Sequence, residues 1–294
     1  MQPMTCFKLT FAACVCAAMV GCGNDGSTDA DKGKTAAAPA KTAEVVIYTN
    51  ADEEAQTAMK NALDKNGMKG AYLIQSFGTS ELGGKLAAEG KNIEADVVTL
   101  STYYLDSFQK KEKLFADLQN KAKTIQPSPS YWTPILGNTG ALFINTEVLK
   151  QSKLEAPKSI ADLAKPEYAG HISVPDIMGS STSWLMTQAV MSAQGEEAGA
   201  KTIAAIEKNA GAHLEKSGSA PLKKLRAGEA AVGFGLRHQA VADKARGLPI
   251  DYIDPTEGNF QLQEAAAVVD KGAKTNPNAQ KAVEIIVTYG RPEL

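Results

Sequence analysis

From Glu44 onward the chain alternates short runs that suit a strand with longer runs that suit a helix. No other feature limits its fold as strongly. EVVIYT (44–49) reads as a strand, and in ADEEAQTAMKNALDKNG (51–67) Ala55, Met59, Ala62 and Leu63 fall on one helical face. AYLIQSF (71–77) predicts a second strand, TSELGGKLAAEG (79–90) a second helix and ADVVTLS (95–101) a third strand. Strand, helix, strand, helix, strand predicts an α/β layer built on a mainly parallel sheet. Ligands of such sheets collect outside the carboxyl ends of the strands. Those ends carry Thr49 and Asn50, Gly78 to Ser80, and Ser101 and Thr102, all small or polar, as a small-ligand cleft needs.

The second half repeats the logic. Asn138-Thr139-Gly140 ahead of ALFIN predicts a turn feeding a strand. HISVP reads as a strand, SSTSWLMTQAVMSA and KTIAAIEKNAG as helices, SAPLKKLRAGE as a helix, AAVGFGL as a strand and RHQAVADKARG as a helix. IDYID, QEAAAVVDKG and NPNAQKAVEIIVTYG predict a return to strand and a terminal helix. No short fixed repeat is present. A body of roughly 250 residues can bury a good core, as one large domain or as two lobes. Net charge is −2, with acids and bases interspersed and no basic stripe, so charge excludes a nucleic-acid partner.

The N-terminus has one cation, Lys8, and an apolar run from Leu9 to Val20. That is the layout of a secretory signal, predicted over 1–21, with a core too short for a stable membrane span. All four cysteines (Cys6, Cys14, Cys16 and Cys22) lie at or before the expected cleavage point. The body therefore has no disulfide, thiolate metal site or cysteine nucleophile. Gly23 to Ala43 is poor in apolar bulk and reads as a flexible tether, making 22–43 a linker.

Three predicted helix starts are rich in hydroxyls. In PDIMGSSTSWLM, Ser180, Ser181, Thr182 and Ser183 precede an apolar run; Thr79-Ser80 precede ELGGKL; Ser217-Gly218-Ser219 precede APLKKL. Each suits a helix cap, because Ser and Thr satisfy N–H groups left over by a first turn. Each also suits an anion, which the same N–H groups and the helix dipole favour. Arg237 adds a permanent cation whose planar fork fits phosphate or carboxylate and cannot ligate a metal. Asn50, Thr79, Ser80, Ser101, Asn138, Thr139, Ser180, Ser181, Thr182, Ser217, Ser219, Arg237 and His238 are the candidate ligand-binding set. His238 reads equally as a donor to the anion or as a surface residue. His213 is a cleft candidate and His171 a structural residue; three separated histidines make no metal site by spacing. Trp132 and Trp184 read as core first, and Glu81 and Glu257 as weak candidates for pairing with a ligand amine.

Met19-Val20-Gly21-Cys22 resembles the lipobox of bacterial lipoproteins, which implies a lipid on Cys22, attachment to a membrane without spanning it, and a body facing the periplasm or exterior. With YTNADEE, FGTSELGGKL, EADVV, GNTGALFINTEVL, GSSTSW and RAGEAAVGFGLRHQA, the chain resembles bacterial extracellular solute-binding proteins of ABC importers. Its motifs are most similar to those of the branch that takes ferric iron, 2-aminoethylphosphonate and related phosphorylated ligands. The resemblance implies a two-lobed periplasmic-binding-protein-like α/β fold, each lobe a mainly parallel sheet with flanking helices, joined by a hinge. It implies 44–140 as the first part of lobe 1, 141–252 as lobe 2, and 253–294 as the return to lobe 1. It also implies delivery of ligand to a membrane permease driven by a cytoplasmic ATPase. The family usually continues some tens of residues past GRPEL, so Leu294 is expected to be a truncated or divergent end that lacks the last helices bracing the two lobes. Ferric members are expected to carry adjacent tyrosines late in the second lobe. Here Arg237-His238 occupy that place, and Tyr103-Tyr104 follow the third strand, one expected in the core and one at the surface. The expected ligand is thus a small anionic solute, phosphonate or phosphate before carboxylate, with ferric iron as the alternative. A monomer without cofactor or metal is expected. A secreted hydrolase lacks its usual residues, since the chain has no G-x-S-x-G elbow, H-E-x-x-H or P-loop.

Overall fold

The computed structural model describes residues 44–119, 124 and 127–293. The expected signal segment, tether and lipidated Cys22 lie outside the described residues. In chain order the first elements are β1 (Val45–Thr49), α1 (Glu53–Leu63), β2 (Tyr72–Ser76), α2 (Thr79–Glu89), β3 (Val97–Ser101) and α3 (Thr102–Glu112). Next come β4 (Thr133–Asn145), α4 (Thr146–Gln151), β5 (Ile172–Pro175), α5 (Ser181–Gln194), α6 (Glu196–Ala210), β6 (Leu214–Glu215) and α7 (Ala220–Arg226). The chain closes with β7 (Val232–Leu236), α8 (Arg237–Ala245), β8 (Ile250–Ile253), β9 (Gln261–Val268) and α9 (Ala279–Ile285).

The strands lie in the order β2-β1-β3-β9-β4-β7-β5-β6, with β8 also on β4. The outer strands of each lobe are parallel: β2, β1 and β3 in one, β7, β5 and β6 in the other. The centre is antiparallel, because β9 runs against β3 and β4, and β4 runs against β7 and β8. This makes the sheet mixed, a refinement of the mainly parallel expectation.

Both lobes cover both faces of their sheet. In the first, Val45, Ile47, Val97, Ala266 and Val268 meet α1 and α9 through Met59, Leu63, Ala282 and Ile285. Their alternate neighbours Tyr48, Val98, Leu100, Ala265 and Ala267 meet α2 and α3 through Leu82, Leu86, Leu105 and Phe108. In the second, Leu142, Val174, Val232 and Phe234 pack on α5 and α6 through Leu185, Met186, Ile203 and Ile206. Ala141, Phe143 and Ile250 face α7 and α8 through Leu222, Leu225 and Ala240. The period of two along each strand therefore sends apolar residues to both sides, as two-sided burial demands.

One expectation is corrected here. Asn138, Thr139 and Gly140 form no turn; they lie inside β4, a 13-residue strand. Asn138 and Thr139 pair with Leu262 and Gln261 of β9, and Gly140 pairs with Leu236 of β7. Gly140 is there for space, since a Cβ would come within 2.3 Å of the Phe234 ring. At this point β4 exchanges β9 for β7 and β8, so one continuous strand runs from the first lobe into the second.

Candidate functional site

A cavity of about 460 Å³ lies between the lobes. Its walls are helix starts, each placed by the strand before it. β1 ends at Thr49, whose hydroxyl hydrogen-bonds Thr99 at 2.5 Å, and leads through Asn50 and Asp52 into α1. Asp52 caps that helix, Oδ1 accepting the Ala55 N–H at 2.8 Å. β2 leads through Gly78 into α2, where Glu81 Oε2 accepts the Gly78 N–H at 3.3 Å. On the facing lobe, Ser180 caps α5, its Oγ accepting the Thr182 N–H at 3.1 Å. The turn 216–219 completes this wall. Gly218 permits its approach, because a Cβ there would lie 2.0 Å from Thr182 Oγ1 and 3.1 Å from Ser180 Oγ.

The three longer helix starts differ in how their dipoles are met. The first turn of α1 carries Glu53 and Glu54 behind Asp52, and that of α2 carries Glu81. The 14-residue α5 has no acid in its first turn, only hydroxyls. Its positive end therefore faces the cavity without a carboxylate of its own. Lys216, which also lines the cavity, is exposed and has no ion-pair partner among the described residues.

The floor is acidic. Glu264 of β9 sits in register between Ser101 of β3 and Leu136 of β4. Its Oε1 accepts from Asn50 Nδ2 at 3.4 Å, while Oε2, sealed from solvent, has no hydrogen-bond partner. Burial first, and the negative charge of Asp52 in addition, push this carboxyl up to about 8 against the opposing Asn50 hydrogen bond. Asp52 is held the other way. Burial raises it, but hydrogen bonds from His238, the Ala55 N–H and Gln239 outweigh that and keep it below the usual carboxylate value.

Several contacts join the two walls. Thr79 Oγ1 donates to Ser181 Oγ at 3.2 Å, and Ser80 Oγ donates to the Met178 carbonyl at 2.6 Å. Asp52 Oδ2 accepts from Gln239 Nε2 at 2.9 Å and meets His238 Nε2 at 3.2 Å. Lys223 Nζ reaches Glu53 at 3.3 Å. The Thr79–Ser181 contact also borders a second cavity of about 1010 Å³, lined by Tyr103, Tyr104, Trp184, Gln261 and Gln263 among others.

The model of the family described as "Bacterial extracellular solute-binding protein" matches residues 93–287, well over half of the chain. The chain belongs to that family. The described part of this solute-binding protein holds no helix long and apolar enough to cross a membrane. An uncharacterized protein of Haemophilus influenzae is 24% identical, over 85% of this chain and 74% of its own length. The Fe(3+)-binding periplasmic protein of Serratia marcescens is 29% identical over 69% of this chain, which spans only 59% of that relative. Among solved structures, the periplasmic binding protein AfuA of Actinobacillus pleuropneumoniae, with exogenous fructose-6-phosphate bound, superposes with a TM-score of 0.73. It is 20% identical, covering 85% of this chain and 81% of AfuA. The periplasmic binding protein P5PA gives the same TM-score, 0.73, at 20% identity, covering 86% of this chain and 82% of that one. These structures establish the two-lobed fold.

The solute-binding protein gathers Asn50, Thr79, Asn138, Ser180, Ser181, Thr182, Ser217 and Ser219 around the first cavity. Ser80 and Ser101 line the second, together with Thr79, Ser180 and Ser181 again. Thr139, Arg237 and His238 line neither. Arg237 stands elsewhere because Asp254 takes its fork, Nε to Oδ1 at 2.8 Å and Nη2 to Oδ2 at 3.2 Å, over the Tyr252 ring. Asp254 also raises its pKa. His238 touches the site through Asp52.

The remaining candidates divide similarly. Glu257 accepts the Ile160 and Ala161 N–H groups at 3.1 and 2.9 Å, away from the cleft, and Glu81 is occupied as a cap. Trp132 is core, with its Nε1–H donated to Asp106 at 2.7 Å, but Trp184 is 41% exposed on the second cavity. Tyr103 is 77% exposed while Tyr104 packs on Phe108, matching one surface and one inner ring. His213 lines neither cavity. Asp52 and Glu264 are the site residues the strand-end pattern misses. Glu264 is visible only as a lone acid opening the apolar run EAAAVV.

Proposed function

We propose that this protein is the capture component of an ABC importer and that it holds a small anionic solute in the first cavity. Phosphonate or phosphate comes first and carboxylate second. One observation carries the reading: α5 points an N-terminus without acidic residues into a cavity ringed by hydroxyls from both lobes. The neighbouring helix starts bring their own carboxylates, so α5 is the one left for a ligand oxyanion, with Lys216 as the adjacent cation. The bound fructose-6-phosphate of AfuA supports a phosphate-bearing solute.

In this reading residues 44–140 and 253–294 act as one lobe and 141–252 as the other, and β4 and β9 flex between them. Ligand contacts from both walls are complete only when the lobes meet, so ligand favours the closed form by its differential affinity. The protein works as a monomer, tethered through a lipid on Cys22, and passes its solute to the permease. Ferric iron is the second reading, supported by the acidic floor of Asp52 and Glu264 and by the Serratia relative. Against it, Tyr103 and Tyr104 face the other cavity.

Thermal-shift screening of the full chain against 2-aminoethylphosphonate, fructose-6-phosphate, thiamine, putrescine and ferric citrate tests the reading. A rise in Tm confined to the phosphonate or phosphate supports it. A response to ferric citrate or putrescine alone rejects it. Retention of the Cys22→Ser chain in membranes would reject the anchor.

A further inference from the structure

We infer that Glu264 recognises a cationic nitrogen on the captured solute, which makes the preferred ligand a zwitterion lying across the first cavity. The oxyanion end of this assignment rests on the function proposed above; the cationic end rests on separate observations.

The cavity is polarised. Its donor end consists of the α5 start and the 216–219 turn, with the hydroxyls of Ser180, Ser181, Thr182, Ser217 and Ser219. Its acceptor end is the floor, where Glu264 rises from the middle of the sheet beside Asn50 and Asp52. Buried polar atoms are almost always hydrogen-bonded, and one that is not, inside a cavity, marks a place for an outside donor. Glu264 Oε2 is such an atom: it is sealed from solvent, unpartnered and on the cavity lining.

Among the described residues no cation answers it. Lys223 is engaged by Glu53 at 3.3 Å, Lys216 stands on the opposite wall, and His238 reaches Asp52. Glu81, the remaining acid of the lining, is held at the α2 cap. Among the described residues the only donor to Glu264 is the Asn50 amide, through Oε1 at 3.4 Å.

Without ligand the carboxyl keeps a proton at neutral pH, since burial and the Asp52 charge raise it to about 8. A ligand ammonium reverses this. The carboxyl proton leaves to solvent, the carboxylate accepts N–H from the ammonium, and binding releases up to one proton per solute at pH 7. A neutral ligand tail leaves the proton in place.

Calorimetry of the full chain at pH 7 tests the assignment with 2-aminoethylphosphonate, propylphosphonate and putrescine, on the parent and on the isosteric Glu264→Gln. The parent is expected to bind 2-aminoethylphosphonate about tenfold or more tighter than propylphosphonate. Titrations in buffers of different ionisation heat should show the released proton. Glu264→Gln is expected to bind both phosphonates within about twofold of each other and to show no proton release. A parent without preference, or a variant that keeps it, overturns the inference. If the parent binds putrescine but neither phosphonate, the anion reading fails; loss of putrescine in Glu264→Gln then still supports Glu264 as the cation site, and retention overturns it. A parent that binds none of the three overturns both.

Discussion

Glu264 and Arg237 show how a single side chain acquires its role from what faces it. Glu264 has a folded-state pKa of about 8, above its unfolded value of 4.5. Such a group stabilises the fold fully below the unfolded pKa and loses that contribution as pH rises through the folded one. The loss between about pH 4.5 and 8 is on the order of 3–5 kcal/mol at about 1.4 kcal/mol per unit. Glu264→Gln cannot ionise, so its ligand-free Tm should exceed that of the parent at pH 8, and the gap should close by pH 5. Scanning calorimetry across that range checks this, and a gap independent of pH would contradict it. Arg237 is the opposite case. A guanidinium near a hydroxyl-rich helix start reads in sequence as an anion ligand, yet Asp254 occupies both arms of its fork. Arg237→Ala should therefore leave the Kd for 2-aminoethylphosphonate within about twofold, well under 1.4 kcal/mol; a tenfold loss in calorimetry would restore the sequence expectation.

At the scale of elements, β4 decides the architecture and is also where sequence reading fails. Asn-Thr-Gly carries turn chemistry, but here Gly140 clears space for Phe234 and the strand runs on. Gly140→Ala should cost about 1–3 kcal/mol by overpacking. Phe234→Leu, which removes the ring, should reduce that penalty in a double-mutant cycle of denaturation midpoints; strictly additive effects would contradict the packing account. Elsewhere the elements are legible. Residues 44 to 101 carry clear strand and helix periods because both sheet faces are buried and the helices are amphipathic. The hydroxyls of Ser180 to Thr182 are legible as a helix start for the same local reason. What sequence withholds is pairing across distance. The antiparallel centre depends on β9 inserting between β3 and β4. The acidic floor depends on that insertion too, because it carries Glu264 beneath Asn50 and Asp52 from more than two hundred residues away.

For the whole molecule, the proposed binding surface lies where the two lobes meet. Thr79 to Ser181, Ser80 to Met178 and Asp52 to Gln239 connect the walls directly, so each wall presents a partial site. A solute that contacts both walls adds to these ties and stabilises the protein by mass action, about 2.7 kcal/mol at one hundred times Kd. The central claim, that the cleft closes on an oxyanion at the start of α5, has a test that depends on sign. Asp at the first position of a helix favours the dipole and keeps Ser181→Asp folded, but its charge opposes an anion at the same place. Calorimetric titration of 2-aminoethylphosphonate into the parent and into Ser181→Asp should give a Kd weaker by about a hundredfold in the variant, equivalent to about 2.7 kcal/mol, with Tm equal to or above that of the parent. Binding that is unchanged or tighter in Ser181→Asp would show that no anion sits at α5.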